Sequence, residues 1–319
     1  MSCLSMFWAR YLARHPHEAA SAAWGYTMSE SQFAVLLTLG ASLSWSFFDT
    51  CRKVLAPRVD PIPLTAIFAW FQVPIFLGWA LWSSSLEIAS GYLFPGFMVL
   101  VFNLIACLCF FEALRRSPLS VTVPILSFVP AFAGVGGWLL LGEELSLSQW
   151  GGVILVGGGT LFLNARRDEL WNVWKLVQSL GRESGSLLMV VVAFCWSTTS
   201  VFDKIAMQYA SAEAHAGVQV LALGAVLTVW LAAKGKVAEL GGVRNHLPVF
   251  ISGGFLSIAA LSLQLHAVQV LYVGLMEAIK RACGIVFAIV LGRLLFKEDI
   301  TLGKIIACGL MIAGIYLLS

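Results

Sequence analysis

Charge is scarce in this sequence. Of 319 residues only 12% are Asp, Glu, Lys or Arg, against 59% hydrophobic, whereas a soluble domain carries about 25% charged and roughly 45–50% apolar residues. The shortage excludes an ordinary soluble fold. A formal net charge of +3 is too mild to point to nucleic acid. No P-loop, dinucleotide fingerprint or zinc spacing occurs, which removes the common nucleotide and metal chemistries. Nor is there a Gly-x-Ser-x-Gly turn to present a hydrolase nucleophile. Cys51, Cys107, Cys109, Cys195, Cys283 and Cys308 lie in or beside apolar runs, where thiols behave as small hydrophobes. Cys107 and Cys109, two apart on a helix, point away from each other. No cofactor and no metal is expected.

Long apolar runs take the place of charge. Ten stretches read as spans, at 33–53, 62–82, 93–114, 118–141, 148–164, 185–207, 213–233, 247–270, 273–296 and 301–318. Runs of ~17–25 residues cross a hydrocarbon layer of ~30 Å, and lipid forces the backbone to satisfy itself, so they are helices. Pro124 and Pro130 predict a kink in the fourth, while Gln72, Pro74 and Gln219 predict that the second and seventh bend or face water. Glycine pairs such as Gly151-Gly152 let neighbouring helices approach closely. Residues 1–32 stand outside the pattern. Met1 to Trp8 is too short an apolar run for a signal peptide, and the segment is read as a weakly ordered tail or an over-long start before Met28, with an amphipathic surface helix as the alternative. Residues 165–184, with Trp171 and Trp174 among charges, read as an interfacial linker.

The apolar chain is written twice. Trp45-Ser46 with Lys53 is matched by Trp196-Ser197 with Lys204 at the same spacing, and Gly142-Glu143-Glu144 is matched by Lys297-Glu298-Asp299. Such recurrence signals an internal duplication, here 33–164 and 185–319. The charges oppose each other between the copies. The connection at 83–91 has no Lys or Arg, while its counterpart holds Lys234, Lys236 and Arg244. The fold expected is therefore all-α, a polytopic membrane protein of ten helices in two inverted five-helix repeats, an arrangement typical of secondary transporters. The positive-inside rule puts both termini outside.

Three segments carry a family resemblance: Glu112-Ala113-Leu114-Arg115-Arg116-Ser117, Pro130 leading to Leu141-Gly142-Glu143, and Ala278-Ile279-Lys280-Arg281 leading to Leu295-Phe296-Lys297-Glu298. They resemble the drug/metabolite transporter superfamily, in its ten-helix form with two EamA-type repeats. The resemblance implies a carrier of small solutes rather than an enzyme, and cytoplasmic termini, against the charge count.

Ionisable groups in a bilayer cost roughly 2.5–3.5 kcal/mol each at mid-depth, so they need partners or a purpose. Lys280 and Arg281, a short way into the ninth span, are the candidate anchors for an anionic group; the plainer reading is that Glu277, on the same face, neutralises one of them. Asp49, Glu112 and Glu277 are candidate coupling carboxylates. Arg52 and Lys53 follow Asp49, and Arg115 and Arg116 follow Glu112, so helix-end salt bridges are the alternative. Asp203-Lys204 is read the same way. Asn103, Gln264 and His266 would face a substrate or make single interhelical hydrogen bonds, and His266 could relay protons. Trp45 and Trp196 would wall a cavity or simply pack. Glu143 and Glu298 read as caps of helix-to-helix turns.

The function expected is a secondary active exporter or exchanger of a small organic, anionic metabolite working by alternating access, in a bacterial cytoplasmic membrane. Its partners are a small-molecule substrate and the lipid bilayer, without nucleic acid; monomer and homodimer are both open. The alternatives are a flippase for a lipid-linked sugar or phosphate, a non-transporting receptor or scaffold, and a membrane-embedded lipid-modifying enzyme, for which the clustered acids or histidines are missing.

Overall fold

The computed structural model describes residues 29–55, 58–83, 86–116, 123–164, 184–296 and 302–318. The expected N-terminal tail to residue 28, the linker up to residue 183 and the Lys297-Glu298-Asp299 break lie outside them. Among the described residues the chain is all-helical, with ten long helices: α1 Glu30–Leu55, α2 Pro61–Trp82, α3 Leu93–Arg116, α4 Val129–Leu141, α5 Leu147–Asn164, α6 Ser184–Ala206, α7 Ala212–Ala233, α8 Leu247–Val270, α9 Val273–Phe296 and α10 Leu302–Leu318.

Short polar signals start and stop these helices. Ser29 and Gln32 cap each other's backbone ahead of α1, and Ser146 and Gln149 do the same ahead of α5, both as capping boxes. Ser211 caps α7 by accepting from the Ala214 amide at 3.1 Å. Gly142 ends α4 at φ +69°, where a Cβ would be strained. The expected fourth span is divided: Val123–Phe128 forms a tight 3-10 stretch before α4, and Pro130, which has no N–H to donate, stands in the first turn of α4, where none is needed.

Six helices, α1, α2, α3, α6, α7 and α8, are long and apolar enough to cross a membrane. The other four differ for physical reasons. α4 is cut short by its prolines, α5 and α10 have 18 and 17 residues, and α9 carries Glu277, Lys280, Arg281 and Arg293.

The helices pair across the two halves. α1 runs antiparallel to α8, with Gly40 against Leu263 and Cys51 against Gly253. It runs parallel to α9, where Ser42 Oγ donates to the Lys280 carbonyl and Ser46 Oγ to the Gly284 carbonyl, each at 3.2 Å. The matching contacts occur five helices on. α6 is antiparallel to α3, through Phe94–Phe202 and Phe102–Phe194, and parallel to α4, with Phe132 beside Phe194 and Gly136 beside Val201. α6 is also antiparallel to α9, since Ser200 reaches Glu277 and Lys204 reaches Leu271. α2 lies against α7, and Gly159 and Gly314 bring α5 within contact of α10. α4 and α9 cross where a Cβ on Gly274 would stand 2.6 Å from the Gly134 Cα, so Gly274 needs to be glycine.

Gln72 and Gln219 do not face water as expected. Gln72 is buried and bonds the Phe68 carbonyl within its own helix, and Gln219 bonds across to α3. α2 continues through Pro74. Lipid offers an amide nothing, so these side chains turn inward to carbonyls.

Candidate functional site

Four helices bring polar groups to one corner. On α9, the Lys280 Nζ donates to Glu277 Oε1 at 2.5 Å and to Gln264 Oε1 of α8 at 3.1 Å. The same Gln264 oxygen accepts from Trp45 Nε1 of α1 at 2.9 Å, and Glu277 Oε1 accepts from Ser200 Oγ of α6 at 2.7 Å. Glu277 is only 2% exposed and the Lys280 side chain 19%. The i, i+3 spacing sets both charges on one face of α9, and the hydroxyls of Ser42 and Ser46 hold α1 against that helix.

Arg281 follows directly and is left over. Among the described residues its side chain forms no hydrogen bond or ion pair, and its Nε is buried without a partner. Glu277 and Asp49 are the carboxylates whose charge acts on it, and Glu277 is already held by Lys280 and Ser200. The corner gathers a carboxylate, an ammonium, an amide, a hydroxyl and an indole N–H, with a guanidinium beside them.

The remaining sequence candidates lie elsewhere. Trp196 packs its ring 5.5 Å from Phe110 in the apolar cluster between α3, α4 and α6. Asn103, half-buried on α3, makes no hydrogen bond among the described residues. His266 accompanies Glu213 of α7, Nε2 to Oε1 at 3.5 Å, and its Nδ1 donates to the Ser262 carbonyl. Asp49 binds Arg52, and Glu112 binds Arg116 at 2.7 Å, both with exposed carboxylates. Among the described residues, no group of three or more His, Cys, Asp or Glu is placed to hold a metal ion.

A family comparison bears on this arrangement. The EamA-like transporter family matches residues 32–165 and again residues 183–319. The chain belongs to the EamA-like transporter family. Its place in the drug/metabolite transporter superfamily follows, as the motifs implied, and it is an integral, multi-pass membrane protein. Members of this family are transporters rather than enzymes. A solved crystal structure superposes with a TM-score of 0.70 at 20% identity, over 89% of this chain and 94% of that one, a likeness of fold alone. No curated protein matches.

Two further clusters in this EamA-like chain escaped sequence reasoning. Asp203 and Lys204 do not form the expected helix-end pair, because successive side chains on a helix diverge. Lys204 donates to Glu143 Oε1 and to the Leu271 carbonyl, both at 2.7 Å, while Glu143 Oε2 accepts from the Val273 amide, capping α9. Glu143 thus caps as expected, though the helix it caps is distant in sequence, and it ties the α4–α5 turn to α6 and α9. Asp203 Oδ1 instead meets His215 Nε2 at 2.9 Å, and His215 Nδ1 meets the Tyr92 hydroxyl at 2.9 Å. The available signal was a histidine and an aspartate inside apolar runs, twelve residues apart.

Proposed function

We propose that the protein is a secondary active transporter that moves a small organic anion by alternating access, with two inverted five-helix units rocking about the corner formed by Trp45, Gln264, Glu277, Lys280 and Arg281. The observation that carries the reading is Arg281. Glu277 balances one cation of α9, and the second has no partner among the described residues. An ionisable group without a partner is costly in a bilayer, and a carboxylate, phosphate or sulfonate on the cargo would complete it. The helix pairings support inversion: α1 runs with α9 and α6 against it, so equivalent helices of the two halves point in opposite directions. On this reading the domains are the repeats 33–164 and 185–319, and the setting is a bacterial cytoplasmic membrane.

The test is counterflow in proteoliposomes with pools of labelled anionic, zwitterionic and cationic metabolites, for wild type, Lys280→Ala and Arg281→Ala. Exchange of the anionic pool alone, lost in Arg281→Ala and weakened in Lys280→Ala, supports the proposal. Exchange of cations, or of no pool by folded protein, rejects it; in the second case a lipid-flipping assay takes up the lipid-linked sugar or phosphate.

A further inference from the structure

The second buried cluster is built differently from the first. Asp203, 6% exposed, and His215, 1% exposed, join the end of α6 to the start of α7, and Tyr92 closes the chain from the turn ahead of α3. Roles follow from the donor inventory. An ionised aspartate only accepts, so His215 Nε2 carries hydrogen, and Nδ1 is then left to accept from the Tyr92 hydroxyl. Gln219 Nε2 in turn donates to that hydroxyl at 3.2 Å and to the Gly96 carbonyl at 2.9 Å. In this state the cluster holds one buried negative charge. No cation answers it among the described residues: Lys204 is committed to Glu143 and Leu271, and Glu213, two positions before His215, is turned to His266 of α8. The α2 side is apolar, with Leu77 against Gly217, and on the turn side Tyr209 packs on Gly91.

One addition settles that charge, and the cluster has a place for it. A proton on Nδ1 makes an imidazolium beside the Asp203 carboxylate and donates to the Tyr92 oxygen. The Tyr92 oxygen, which already accepts from Gln219 Nε2, then accepts from His215 Nδ1 as well, and the hydroxyl turns its own hydrogen away from the imidazole. We propose that His215, with Asp203 and Tyr92, is the proton-binding site that couples transport to a proton gradient. The inference rests on the transport reading above. It moves the coupling role away from Asp49 and Glu112, whose carboxylates are already paired with Arg52 and Arg116. The link to the anion corner is α6 itself. Within five residues, Ser200 holds Glu277, Asp203 holds His215 and Lys204 holds Glu143, so a charge change at one contact is felt at the others through a single rigid helix.

The test has two parts on the full chain in lipid nanodiscs and proteoliposomes. Histidine-labelled nitrogen NMR, with His215→Gln assigning the signal, should show His215 taking up one proton as the pH is lowered. In liposomes, one pH unit across the membrane should drive about tenfold accumulation of the exchanged cargo for one proton carried. His215→Gln and Asp203→Asn should still exchange cargo measurably, yet lose that accumulation. Tyr92→Phe, which keeps the ring, should retain it with a shifted pH midpoint. A His215 that does not titrate overturns the proton site whether or not cargo moves, and so does accumulation that persists in His215→Gln. A titrating His215 in a protein that exchanges nothing defeats the transport reading and takes the coupling role with it.

Discussion

Trp45 and Trp196 hold matching places in α1 and α6, yet their surroundings are opposite. Trp45 donates to Gln264, which also receives Lys280. Trp196 meets Phe110. If α3 and α8, both 24 residues, are aligned start to start, Phe110 stands where Gln264 does. Counting back from Glu143 and Glu298, Ile125 and Leu126 stand where Lys280 and Arg281 do. Both are buried in the cluster around Trp196. The helix frame is repeated while the chemistry is not. One corner is filled by apolar side chains, and the other holds charges whose neighbours supply an amide to Lys280 and a hydroxyl to Glu277.

The comparison can be broken most strongly at Glu277. Glu277→Leu leaves Lys280 without its counter-charge, and removing one partner of a buried pair costs about 3–5 kcal/mol, which thermal unfolding in detergent will report. Glu277→Leu with Lys280→Leu copies the apolar corner and should regain most of the loss while abolishing anion counterflow. Next comes Gln264→Phe, the direct exchange for the residue at Phe110's place. It takes an acceptor from both Trp45 and Lys280, for about 1–3 kcal/mol, and counterflow should weaken with it. A finer test sets Trp45→Phe against Trp196→Phe in parallel melts. Only the first loses a hydrogen bond, so it should be the more destabilising by about 1 kcal/mol. The smallest effect belongs to Asp49→Asn, whose exposed pair with Arg52 is worth under about 1 kcal/mol. A larger loss there would mean that Asp49 serves Arg281 rather than Arg52.

Most of the frame was legible in the sequence because lipid allows an apolar run so few alternatives. The run at 62–82 became Pro61–Trp82 and that at 247–270 became Leu247–Val270. Local charge pairs were legible for the same kind of reason: Glu277 with Lys280, and Asp49 with Arg52, sit within one helical turn. What stayed hidden depends on which helices meet. Lys204 finds Glu143 at a separation of 61 residues, and His215 finds Tyr92 at 123. No spacing rule reaches that far. His215 drew no notice among alanines because a lone histidine in an apolar helix says nothing of the aspartate that another helix holds against it. Gln264 was legible as a polar residue in a span, but not as the acceptor shared by an indole and an ammonium.

The glycine crossing of α4 and α9 has a mechanical consequence. Helices that interlock side chains resist rolling past one another, but at Gly274 the backbone of α9 comes directly against that of α4 at Gly134. Such a contact fixes the separation of the two helices at that point. It lies near the first turn of α9, so the rest of that helix is a lever of roughly 33 Å, and a tilt of about 5° moves its far end by about 3 Å. Lys280, only six residues along, moves by less than ~1 Å in the same swing. A fulcrum so placed would spend such a tilt at the far end of α9 and leave the charges beside it nearly still.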